Sequence, residues 1–133
     1  MATHADADLI LKLYDLRREP VCRAARAFFG QWTPSSEHEV KQVVGDGKRQ
    51  DNAYVRQVTT YWEMAFSLAN TGAIDEELFA KNCGEGILFA MKCQKLAKQF
   101  PGAWTRTMAE AEAFIAKVPA AQKKAEMMRA RLA

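Results

Sequence analysis

The chain has 133 residues, 49% hydrophobic and 26% charged, proportions that suit one globular domain with a continuous core and exclude a disordered or fibrous chain. Its 19 basic and 16 acidic residues give a net charge of +3, and Arg and Lys are interleaved with Asp and Glu until the C-terminal tail, so no basic face for nucleic acid is indicated. No apolar run approaches the roughly 20 residues needed to span a bilayer, and the acidic residues before the first apolar run do not suit a secretory signal.

Three cysteines, Cys22, Cys83 and Cys93, form no CxxC, and their odd number leaves at least one thiol unpaired within the chain. Reduced thiols packed as small hydrophobes, in a cytoplasmic protein, are expected.

Asp6 or Asp8 can cap a first helix in which Leu9, Ile10, Leu13 and Leu16 recur at helical spacing. Pro20 interrupts it and suits the first turn of a second helix, with Val21, Cys22, Ala25, Phe28, Phe29 and Trp32 on its apolar side. Arg17, Arg18, Arg23 and Arg26 flank that corner. They could hold a phosphate or a carboxylate, or pair with acidic groups of the fold.

Thr33, Ser35 or Ser36 can cap a short third helix, Ser36 and Glu39 having the spacing of a capping box, and the helix ends at Gly45 to Gly47. The stretch 51–72 is expected to be the inner helix of the fold and its most buried long helix. Tyr54, Val55, Val58, Tyr61, Trp62, Met64, Ala65, Phe66, Leu68 and Ala69 cover well over half of its circumference. The remaining arc holds Asn52, Arg56, Thr59, Thr60, Glu63, Ser67 and Asn70, mostly short polar groups instead of the Lys and Glu of a solvated face. Neighbours are therefore expected on both sides.

Gly72 supplies a left-handed stop, and Asp75, Glu76 and Glu77 mark the start of the next helix. Asn82 with Glu85 suggests a cap for a further helix that buries Ile87, Leu88, Phe89, Met91, Cys93, Leu96 and Phe100 and carries Lys92, Lys95 and Lys98 towards its favourable end. The last long helix is expected from Trp104 or Thr107. Its seam, Trp104, Met108, Ala111, Ile115 and Val118, advances in alternating steps of four and three. Pro119 closes it, leaving residues 119–133 as a terminal helix or a fraying tail. The sum is an all-α fold, a compact multi-helix bundle around the helix at 51–72.

The segments YDLRREPVCRAAR, NAYVRQVTTYWEMAFSLANTGAIDEELF and GEGILFAMKC resemble a family of small uncharacterised proteins from acidobacteria and other soil bacteria. The resemblance covers most of residues 9–118 and is most specific in the words WEMA and GAIDEELF. It implies an all-α soluble domain and supplies no catalytic residue.

A di-iron bundle needs Glu three residues before an inward His, and neither His4 nor His38 has one. HExxH, Walker and dinucleotide patterns are absent, so no metal and no cofactor is expected. Glu63 is the best candidate for carboxylate chemistry, because it lies mid-helix among Trp62, Met64 and Phe66. If it is structural, it should meet an Arg or Lys from another helix. If it serves a ligand, it should face a cavity. The leading functional expectation is a protein-interaction or structural module without catalytic activity, with a protein partner or a second copy of itself. The alternative is a binder of a small ligand or anion between helices, at the arginine corner of Arg17 and Arg18 or on the arc of Arg56 and Glu63.

Overall fold

A computed structural model describes residues 1–133 as eight helices with no strand. They are α1 (His4–Arg17), α2 (Pro20–Gln31), α3 (Glu37–Gly45), α4 (Gln50–Asn70), α5 (Glu76–Ala80), α6 (Gly84–Gln99), α7 (Ala109–Lys117) and α8 (Pro119–Leu132). The expected central helix is α4, with α2 and α7 as its main neighbours and α3 and α5 also against it. α7 in turn contacts α6 and α8, which pack on each other, so the two halves of the bundle share one core.

Local chemistry accounts for most helix ends. Gly72, at φ 86°, turns the chain after α4, and the Asp75 carboxylate accepts from Leu78 N at 2.9 Å to start α5. Pro20 opens α2, and Ser36 caps α3 by accepting from Glu39 N at 3.1 Å. Glu39 bonds Ser35 N at 2.9 Å, one residue before its expected partner. All five residues of the Trp104 seam are buried.

Several expectations are corrected by tertiary contacts. Thr3 caps α1, with Asp6 completing the capping box and also accepting from Asp75 N at 2.9 Å. Leu16 of α1 and Val21 of α2, expected inward, are exposed; of α1 only Leu13 is buried, with Leu9 and Ile10 half-buried against the core. Asn82 does not cap α6. Its amide bonds Leu78 O, while Glu85 is drawn to Arg26 and Trp62. α7 starts only at Ala109, since Trp104 serves as a buried wedge in the preceding connection. Of the two alternatives for the last stretch, the helix is the one formed: α8 is packed, with Ala121 and Ala125 buried.

α4 is also not the most buried long helix. It buries 8 residues of 21, whereas α6 buries 8 of 16. α6 is covered by α7 and α8 and by rings reaching across from α4, while Met64 of α4 remains exposed.

Candidate functional site

The polar arc of α4 secures the ends and flanks of other segments. Asn52 is buried and donates to Val43 O at 2.8 Å and Val44 O at 3.1 Å, two carbonyls in the last turn of α3. Asn70 donates to Glu110 O at 2.9 Å. Thr59 accepts from an Arg106 nitrogen at 3.1 Å.

Glu63 has the clearest role among these residues. Its Oε1 accepts from Glu110 N and its Oε2 from Ala111 N, both at 3.0 Å. These are orphan donors of the first turn of α7, whose own N-cap, Met108, contributes no side-chain bond. Glu63 is therefore held by backbone donors of another helix, where a structural role led us to expect an Arg or Lys. Glu63→Gln, which keeps the shape but leaves one oxygen for two donors, is expected to lower stability by about 1 kcal/mol in chemical denaturation. An unchanged midpoint would contradict this capping role.

Arg56 is exposed and donates through Nε to Asn52 Oδ1 at 2.8 Å. The structure thus does not bring Arg56 and Glu63 together in a cavity. At the arginine corner the four residues divide. Arg23 bonds Arg18 O and Arg26 bonds Arg17 O, both at 3.1 Å, so α2 satisfies carbonyls at the end of α1. Arg26 also grips Glu85 with two bonds of 2.7 and 3.0 Å. Arg17 and Arg18 lie against the Tyr14 ring.

The largest concave feature lies elsewhere. A cleft of about 600 Å³ opens between α6, the connection before α7 and the end of α8. Met91, Cys93, Ala97 and Leu132 give it apolar walls, and Lys95, Lys98, Arg106 and Arg129 give it four cations. None of the four is within ion-pair distance of a carboxylate. Lys95 bonds the Leu132 carbonyl, and Glu112, the one acidic side chain of the lining, accepts from Gln94 Nε2 at 3.0 Å.

Sequence reasoning treated Lys95 and Lys98 only as complements to a helix dipole and did not single out Arg106 or Arg129. One signal was available. Lys95 and Lys98 lie one turn apart on α6, with no acidic residue four positions away on either side.

Burial tunes three groups on α5–α6 and its approach. The thiols of Cys83 and Cys93 are pushed up to about 12, so both are neutral at ordinary pH. The Lys92 amine is pushed down to about 8, again chiefly by burial, while it donates to Phe29 O near the end of α2. Holding Lys92 charged in the fold is therefore unfavourable at all pH values below about 8. That cost fades between about 8 and 10.5, where the unfolded chain still binds a proton that the folded chain has released.

Stability relative to Lys92→Met should accordingly rise by about 2 kcal/mol between pH 7 and pH 10. The comparison with the variant is needed because the thiols act oppositely, lowering stability as pH rises from 9.0 towards 12. Both chains share those thiols. Parallel pH profiles of urea midpoints for the two proteins would refute the assignment.

No group of three or more His, Cys, Asp or Glu residues is arranged to hold a metal ion, and no helix is long and apolar enough to cross a membrane. Among curated proteins and among solved structures, none matches the chain. A protein-family comparison matches residues 2–130, nearly the whole length over which the helices, the polar arc and the cleft are built. The chain belongs to the DUF4760 family, a domain of unknown function.

Proposed function

We propose that this domain binds a small organic anion in the cleft between α6 and α8. The observation that carries the reading is the convergence of Lys95, Lys98, Arg106 and Arg129, without carboxylate partners, on a concavity of about 600 Å³. That size falls in the range of small-molecule sites. Met91, Cys93, Ala97 and Leu132 would receive an apolar body, and the cations would hold a carboxylate or phosphate head. A concave site of this kind favours a small ligand over nucleic acid, which is better matched by an extended basic stripe. Binding without catalysis is supported by the Cys93 thiol, which at about 12 has little thiolate character. A cytoplasmic setting is supported by three buried free thiols.

Thermal unfolding with octanoate and with hexyl phosphate tests the reading. A ligand present at 100 times its Kd stabilises the fold by about 2.7 kcal/mol, which raises Tm visibly. The double variant Lys98→Glu/Arg129→Glu changes two exposed side chains and should keep the unliganded Tm while losing the response. No response to either anion by the parent protein would defeat the proposal.

A second reading, an interaction module that pairs with itself or another protein, is favoured by Leu11, Leu16 and Val21, exposed by 65%, 49% and 52% on α1 and α2. Sedimentation across a wide concentration range should then show association that Leu11→Lys abolishes.

A further inference from the structure

A second, smaller cavity of about 250 Å³ lies under α1, against α4 and α5. Its walls include Ile10, Leu13, Trp62 and Phe79, of which the last three are buried. Arg17 also lines it, with its guanidinium carbon 4.8 Å from the centre of the Tyr14 ring and 5.2 Å from that of Trp62. The Arg18 guanidinium lies 5.3 Å from the same Tyr14 ring.

Two cations thus share one aromatic ring, and neither is paired with a carboxylate. Two acidic groups of this corner are committed to other partners, and Asp15, three positions before Arg18, forms no ion pair with either arginine. Glu85 receives two bonds from Arg26 and one of 3.1 Å from Trp62 Nε1, and Glu19 caps α2 through Cys22 N at 3.0 Å. A guanidinium held against a ring keeps N–H groups in its plane; Arg17 gives part of this set to the Tyr61 hydroxyl, and the rest can form a fork that matches a carboxylate. Arg17 lines the apolar cavity and Arg18 lies exposed against the Tyr14 ring of its lining, so an anion on Arg17 would also be attracted by the second positive charge.

We propose that this corner is a binding site for a small monocarboxylate with an apolar body. Its carboxylate lies on Arg17, with Arg18 adding charge, and its body fills the cavity between Leu13, Trp62 and Phe79. A volume of about 250 Å³ corresponds to about eight waters of liquid, hence to a body and head group of benzoate or hexanoate size. A single charge suits the apolar walls better than a phosphate dianion, whose desolvation is costlier. The site is separate from the α6–α8 cleft and does not depend on that reading.

The indole N–H of Trp62 provides a local reporter, because Trp62 lines the cavity and Trp32 and Trp104 do not. Titration of the full chain with benzoate in the millimolar range, followed by 1H–15N NMR, should shift that resonance saturably. Arg17→Met should weaken binding by about tenfold or more, since a charge-assisted pair is lost. Arg18→Met, at an exposed position, keeps the fold and should weaken it less. Lys98→Glu/Arg129→Glu should leave it unchanged. The proposal is overturned if Trp62 does not respond in the parent protein, if benzyl alcohol binds as tightly as benzoate, or if inorganic phosphate produces the same shift.

Discussion

Trp62→Ala is expected to destabilise the fold by about 3–5 kcal/mol, the largest loss of any single substitution considered for this chain. Trp62 is 1% exposed and sits where α4 meets α6 through side chains. Its ring lies edge-on to Tyr61 at 5.3 Å and tilted against Phe66 at 6.0 Å, beneath the Arg17 guanidinium. Truncation to Ala removes this packing, opens a cavity that the surrounding aromatics cannot collapse into, and takes a donor from Glu85. Domains of this size are typically stable by only about 5–15 kcal/mol, so the variant should be near the edge of folding. Urea denaturation reads the loss directly. A value below about 1 kcal/mol would mean that the site relaxes at little cost and that Trp62 does not anchor the core.

Gly86→Ala should cost about 2–3 kcal/mol, although Ala is the better helix former by about 1 kcal/mol. A Cβ at Gly86 would lie 2.6 Å from Trp62 Cε3, 2.7 Å from Trp62 Cδ2 and 2.7 Å from Phe66 Cε2. Both rings are buried, and neither is the flexible end of a side chain that could swing away. Gly84→Ala is the control, because a Cβ there meets nothing within 4 Å. It should be neutral or mildly stabilising. Trp62 supplies two of the three close contacts and Phe66 the third, so Trp62→Phe should relieve part of the cost of Gly86→Ala. That coupling is measurable as the non-additivity of a double-mutant cycle. Additive effects, or a Gly86→Ala protein as stable as the parent, would show that α6 can move away from α4.

The two substitutions probe the same junction from opposite sides, one by removing volume and one by adding it. Together with Glu63 they explain why α4 occupies the middle of the bundle. Its rings reach α6 across a gap that only glycine leaves open. Its polar arc meanwhile satisfies the ends of α3 and α7, which bring no side-chain caps of their own to those positions.

What the sequence determined by itself was local. Helical periodicity, the Asp75 cap, the Gly72 turn and the buried seam from Trp104 to Val118 follow from residues within a few positions of one another, where backbone geometry and spacing are decisive. The short polar groups on one side of α4 also signalled neighbours there, though not their identity. Only the tertiary structure decided that Glu63 meets the start of α7, 47 and 48 positions away, because a carboxylate is satisfied as well by backbone N–H groups as by a cation. The same holds for the cleft. Lys95, Arg106 and Arg129 come from three segments, and no periodicity records that the connection before α7 and the end of α8 bring them to one concavity. Convergence of like charges depends on how helices pack, and packing is settled by shape across the whole core.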